Sequence, residues 1–233
     1  MNFGLSQEQE MIVDTVRDFV EKEIYPHEAE VERTGNVPLE LGQSIKQKVL
    51  DLGFYACNFP ESVGGAGLNH LDFTLVEREL GRGSMALTHF FGRPQNILMA
   101  CRDEQIERYL LPAVKGEITD ALAMTEPDAG SDVRGMKCNA VSDGSDWILN
   151  GSKHFISGAE HADFFIVFVA TGVDETPRGP KKRITTFLVD RGTKGFEVRN
   201  GYNSVSHKGY KNCILDFDNC RLPKEAVLGE IDG

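Results

Sequence analysis

The chain has 233 residues, 40% apolar and 26% charged, with a formal net charge of −11. That composition suits a soluble globular protein with room for one large domain or two modest ones. So negative a charge disfavours nucleic acid or an anionic membrane as partner, and no apolar run approaches the ~20 residues needed to span a bilayer.

The first six residues, Met1 to Ser6, lack the basic and apolar regions of a secretory signal. Cys57, Cys101, Cys138, Cys213 and Cys220 are widely spaced and include no CxxC pair. This argues against a disulfide framework and against a zinc site, and points to a reduced, cytoplasmic location.

The first half reads as helix. Ser6-Gln7-Glu8-Gln9 fits a capping box, and Met11, Ile12, Val16, Phe19 and Val20 recur at helical spacing. Pro26 is expected to stop or bend that helix. A second helix is predicted after Pro38, with Leu39, Leu41, Ile45, Val49 and Leu50 as its apolar set. Phe59-Pro60 and Gly64-Gly65-Ala66-Gly67 mark a loop. A third helix is expected from Leu71 to Leu80, and one or two more between Ile97 and Leu110.

After Asp120 the period changes from 3.6 to 2. Trp147-Ile148-Leu149, Asn150-Gly151 and Lys153 to Ser157 read as a hairpin turning at Asn-Gly. Phe164 to Val169 reads as a fully buried strand, while Arg183 to Asp190 and Cys213 to Phe217 alternate as half-buried strands do. The fold class is therefore α+β in two domains. A helical bundle over 1–120 precedes an antiparallel β-barrel or sandwich over 121–233.

The octet Thr125-Glu126-Pro127-Asp128-Ala129-Gly130-Ser131-Asp132 is the densest cluster of loop-forming residues. Pro127 fixes its own φ and disfavours helix at Glu126, Gly130 admits unusual backbone angles, and Ser131 and Asp132 can bond nearby amides. An ordinary connection between two elements is one reading of it. A rigid loop aimed at an electron-rich ligand is the other.

TEPDAGSD resembles the flavin-contacting signature of the acyl-CoA dehydrogenases. The triplet Phe155-Ile156-Ser157 resembles the aromatic-Ile/Val-Thr/Ser triplet that follows it in that family. Pro60-Glu61-Ser62-Val63-Gly64-Gly65-Ala66-Gly67 is similar to the family's PE-x-x-GG-x-G loop, and Asp216 to Pro223 to its F-(D/E)-(D/N)-x-x-(V/L)-P strand end. The matches stand in the family's order over the whole chain.

The resemblance implies an FAD-dependent oxidoreductase that takes a proton from Cα and a hydride from Cβ of an acyl-CoA, with flavin N5 as hydride acceptor. It implies that Thr125 bonds the pyrimidine edge of the flavin, that Leu122 and Met124 offer backbone groups, and that Gly130 and Ser131 meet the FAD pyrophosphate or the substrate. Phe155 and Ile156 are implied at the ring, with Phe155 where many relatives carry Trp. Ser157 is implied at N5, where hydrogen-bond donors stabilise developing charge. An electron-transfer flavoprotein is the implied electron acceptor, and a homo-oligomer is implied when the family's C-terminal helical domain is included.

No residue matches the family's catalytic Glu, which lies in that later domain, so no catalytic residue is assigned and the 233-residue chain is expected to be nearly inactive. Asn203 to Tyr210 departs from the family's MG-x-R-type sequence and is assigned no ligand. Trp147 is read as core and His154 as structural or surface, pointing to the face opposite Phe155. His89, His161 and His207 have no ligand-spaced partners, so no metal is expected. The basic run Arg178 to Arg183 reads as a solvated loop, or as a receptor for coenzyme A phosphates. An acyl-CoA oxidase or flavin monooxygenase on the same scaffold, or a non-catalytic partner fragment, remain as alternatives.

Overall fold

The computed structural model describes residues 4–177 and 179–232. Met1 to Phe3, Arg178 and Gly233 lie outside the described residues, and with them parts of the N-terminal leader reading, the basic run and the chain end. Two compact units emerge. One gathers the chain up to Pro94 with Val114–Gly116 and Ser204–Tyr210. The other gathers Gln95–Ala113, Glu117–Asn203 and the chain from Lys211.

In the helical unit, α1 (Gln7–Phe19) begins as the sequence suggests. Ser6 Oγ accepts the Gln9 amide at 3.2 Å, and Gln9 Oε1 accepts the Ser6 amide at 3.1 Å. Ile12, Val13, Val16 and Phe19 face inward, whereas Met11 is 64% exposed. Pro26 does not stop the helical path. A π-helical turn at Val20–Ile24 leads into α2 (Tyr25–Thr34), where Pro26 occupies the first turn and its missing N–H has no partner to lose.

Next come α3 (Leu39–Asp51), α4 (His70–Leu80) and the short α5 (Met85–Thr88). In α3, Ile45 and Val49 are buried, while Leu39 lies on the surface. Asn69 caps α4 by accepting from the amides of Leu71 and Asp72. Phe19 meets Phe91 edge-on at 5.6 Å. Glu79 is 2% exposed, and Arg17 and Arg78 hold its carboxyl below the usual range against the opposing effect of burial.

The next segment carries the one or two helices expected there, shifted along the chain. A 3₁₀ segment at Asn96–Ala100 is followed by an unbroken helical stretch over 104–114, in which a π segment at Ile106–Leu110 runs into α6 (Leu111–Val114). The strands of the other unit are β1 (Asp120–Ala123), β2 (Asn139–Asp143), β3 (Asp146–Ser157), β4 (Phe164–Thr176), β5 (Gly179–Asp190), β6 (Phe196–Tyr202), β7 (Asn212–Leu222) and β8 (Val227–Leu228). They form one sheet in the order β6-β7-β3-β2-β4-β5-β8, with β1 beside β4. Most pairs are antiparallel, but β1 and β2 both run parallel to β4. Ala121, Leu149, Phe165, Val167, Phe187, Leu215 and Phe217 belong to its core.

The chain does not turn at Asn150-Gly151. β3 runs straight through that dipeptide, and the hairpin lies one segment earlier, where Asp143 pairs with Asp146 across Gly144-Ser145. A Cβ at Gly151 would stand 2.7 Å from Cys138 Cα, and its φ is +132°. Gly151 is thus demanded by close approach of β2, and the register of β3 on β7 shifts around it. Local Asn-Gly chemistry lost to tertiary packing.

Candidate functional site

β1 carries the chain into the octet. Ala121 and Ala123 point to the core, and Leu122, paired with Ile166 of β4, is half-buried. Beyond the strand, Glu126 and Ala129 exchange backbone hydrogen bonds of 2.9 and 3.3 Å, closing a tight turn over Pro127-Asp128. The side chain of Glu126 folds inward. Its carboxylate accepts the amide of Lys137 at 2.5 Å, the amide of Cys138 at 3.1 Å and the ammonium of Lys153 at 2.7 Å.

Lys153 is fully buried, and its Nζ also donates to the Met124 carbonyl at 3.1 Å. A charge buried this deeply is tolerated only when paired and hydrogen-bonded, and both members of this pair meet that condition. The octet is therefore clamped at its root by an ion pair reaching from β3. The expectation that Ser131 and Asp132 bond the loop's amides is corrected, since Glu126 bonds the neighbouring amides and Ser131 stays exposed. The Glu-Lys pair was missed. Its signal, a lysine at an inward-facing strand position, was legible.

The clamp brings the two predicted segments together. The amide of His154 donates to the Thr125 carbonyl at 2.8 Å, so Met124 and Thr125 lie directly against the middle of β3. One lone pair of the Met124 carbonyl is taken by Lys153. The Thr125 hydroxyl has no hydrogen-bond partner among the described residues. Gly130 and Ser131 lie further along, exposed, with nothing within 4 Å of where a Gly130 Cβ would stand. The Gly130 φ lies outside the left-handed region, so this chain's own conformation does not require glycine there. The exposed approach is what glycine leaves open.

β3 bulges against β7 between Lys153 and Ile156. Within the bulge Phe155 takes φ +57°, a left-handed conformation that is strained for an aromatic residue, and 55% of it is exposed. Its ring stacks on Tyr202 of β6, with centroids 4.6 Å apart and planes 27° apart. The bulge also breaks the alternation that placed His154 on the opposite face. His154 Nδ1 instead lies 2.8 Å from the hydroxyl of that same Tyr202. The Ile156 side chain is buried in the core, which leaves its backbone for any ligand. The hydroxyl of Ser157 donates to Asn212 Oδ1 at 2.9 Å.

Other residues take structural parts. Trp147 packs edge-on to Phe187 at 5.5 Å. From Gly179 onward the basic run forms the start of β5 and is not the solvated loop expected of it. Lys182 donates to the Met136 carbonyl, and Arg183 pairs with Asp174 and Asp232. Burial pushes the Cys138 thiol up to about 12, which makes it unreactive. Ser206, His207 and Lys208, from the stretch assigned no ligand, line a cavity of about 550 Å³ in the helical unit together with Glu28, Glu77 and Arg93.

An exposed aromatic held in a strained conformation, an unpartnered hydroxyl and open space at Gly130 suit a flat, hydrogen-bonding ligand with an anionic extension. Among the described residues no cluster of three metal-ligating side chains occurs. No helix among them is long and apolar enough to cross a membrane.

The model of the acyl-CoA dehydrogenase N-terminal domain matches residues 6–117, and that of the middle domain residues 121–220. Mitochondrial isovaleryl-CoA dehydrogenase of Pongo abelii is 34% identical over 97% of this chain and 54% of its own length. The caffeyl-CoA reductase-Etf complex subunit CarC of Acetobacterium woodii is 32% identical over 97% of this chain and 59% of its own. A glutaryl-CoA dehydrogenase from Mycobacterium smegmatis, solved in complex with FADH2, superposes with a TM-score of 0.82 at 30% identity, covering 97% of this chain and 56% of that one. The chain spans between half and three-fifths of the length of these relatives.

Proposed function

Since the chain belongs to the acyl-CoA dehydrogenase family, through that family's N-terminal and middle domains, we propose that it forms one wall of an FAD site serving α,β-dehydrogenation of an acyl-CoA thioester. The observation that carries this reading is the joining of Thr125 to the Phe155 bulge through the Glu126-Lys153 pair. That joint holds the residue bearing a free hydroxyl against the strand segment that bears an exposed ring.

In this reading the bound flavin supplies a hydride acceptor, which no side chain can be. The chain's residues supply orientation. Thr125 hydrogen-bonds the ligand's polar edge, with backbone groups of Leu122 and Met124 beside it. Phe155 presents a ring face for stacking, next to the backbone of Ile156. Gly130 and Ser131 receive the pyrophosphate or the coenzyme A ester, and Ser157 addresses the reacting edge. No residue of the chain is given the part of proton-abstracting base. The functional division follows residues 1–120 and 121–233.

Relatives and neighbours support the wider setting. An Etf-complex subunit and an electron-transferring flavoprotein of Acidaminococcus fermentans are among the matches, which supports an electron-transfer flavoprotein as electron acceptor. We place the protein in the cytoplasm, in fatty acid or related acyl-CoA metabolism, and as a homo-oligomer.

Anaerobic mixing of the FAD-loaded chain with acyl-CoAs tests this. Flavin uptake is expected, followed by bleaching about 10²–10⁴-fold slower than in a relative that has its general base. Failure to take up FAD overturns the site. Rapid bleaching overturns the assignment of the base outside these residues.

A further inference from the structure

The hydrogen bond from Ser157 to Asn212 has a direction, and the direction has chemical content. Ser157 and Asn212 are cross-strand partners on β3 and β7, and Asn212 is in turn the partner of Tyr202 on β6. A single row, Ser157-Asn212-Tyr202, therefore crosses three adjacent strands. Phe155 stacks on the Tyr202 end, and the Ser157 hydroxyl closes the other end at 2.9 Å from Asn212 Oδ1. The row is tightly built. A Cβ on Gly201 would fall 1.4 Å from the Asn212 carbonyl oxygen, so β6 can hug Asn212 only with glycine there.

A serine hydroxyl has one proton and two lone pairs. With its proton committed to Asn212 Oδ1, Ser157 offers only lone pairs to anything else, and so complements an N–H rather than another acceptor. We propose that Asn212 is a positioning residue that fixes Ser157 as a hydrogen-bond acceptor, so that the site prefers the reduced flavin, which carries a proton on N5, over the oxidised flavin, whose N5 is an acceptor. This rests on the reading that Ser157 addresses N5. Removing the Asn212 acceptor frees the hydroxyl to rotate and donate, which shifts the preference toward the oxidised form.

The test measures the FAD dissociation constant and the two-electron reduction potential for the full chain and for Asn212→Leu, Asn212→Thr and Ser157→Ala. Asn212→Leu, of similar volume, should lower the reduced-over-oxidised affinity ratio about tenfold, one net hydrogen bond to the ligand, which is a drop of about 30 mV in potential. Asn212→Thr suits a strand and keeps an oxygen acceptor, so its ratio should stay within about threefold of the parent's. In the Ser157→Ala background, Asn212→Leu should have no further effect on the ratio. An unchanged ratio in Asn212→Leu, with Ser157→Ala shifting it, overturns the proposal alone. An unchanged ratio in Ser157→Ala overturns both the proposal and the placement of Ser157. Equal loss in the Thr and Leu variants overturns the role of the acceptor oxygen.

Discussion

Lys153 Nζ lies 2.7 Å from Glu126 Oε1, with the lysine side chain fully buried and that of the glutamate 4% exposed. Removing one partner strands the other charge in the interior. Lys153→Met and Glu126→Gln should each destabilise the β unit by about 3–5 kcal/mol. The double variant should lose less than the sum of the two. Urea unfolding of all four proteins measures the coupling, and strict additivity would show that the pair does not act as a unit.

Gly151 and Gly130 should respond oppositely to alanine. At Gly151 the new Cβ meets Cys138 Cα at 2.7 Å with φ at +132°, and a loss of at least about 2 kcal/mol is expected. At Gly130 the space is open, so stability should change by less than about 0.5 kcal/mol, while FAD affinity falls as the methyl intrudes on the ligand. Thermal melts and FAD titrations separate the two effects. A Gly130→Ala variant that binds FAD like the parent would remove Gly130 from the site.

Phe155 is held at φ +57°. Glycine takes that conformation without strain, a gain of about 1 kcal/mol, offset by a similar loss of stacking on Tyr202. Phe155→Gly should therefore leave ligand-free stability nearly unchanged and weaken FAD binding at least about tenfold. A large stability loss with intact FAD binding would make Phe155 a packing residue.

Asp120, at the start of β1, gives a pH dependence. The residue as a whole is half-buried, but its carboxyl is enclosed, and burial pushes it up to about 6 against the pull of the Gln95 amide. The folded chain thus holds this proton more tightly than the unfolded chain does. The fold is favoured while the group is neutral, and stability falls by about 1–3 kcal/mol as pH rises from about 4 through 6. Asp120→Asn should be more stable than the parent near pH 7 and should flatten that slope. Equal stability of the two near pH 7 would show that the carboxyl carries no such penalty.

Much of this architecture is legible in the residues. Ser6 and Gln9 announce the start of α1, and the apolar run from Phe164 announces β4, because both signals are local. Asn150-Gly151 misleads because its backbone is set by Cys138, twelve and thirteen positions away, and not by its own turn preference. The same holds at the site. Thr125, Phe155 and Ser157 stand out by motif, but Lys153, Tyr202 and Asn212 act through strand pairings and a bulge that period-2 reasoning does not contain.

Equilibrium titration of FAD into the parent chain and Thr125→Val, followed by quenching of flavin fluorescence, bears most directly on the flavin wall. The expected result is saturable binding by the parent and about tenfold weaker binding by Thr125→Val at unchanged melting temperature, one hydrogen bond to the ligand lost. Identical affinities for the two proteins, or no binding by the parent, would contradict it.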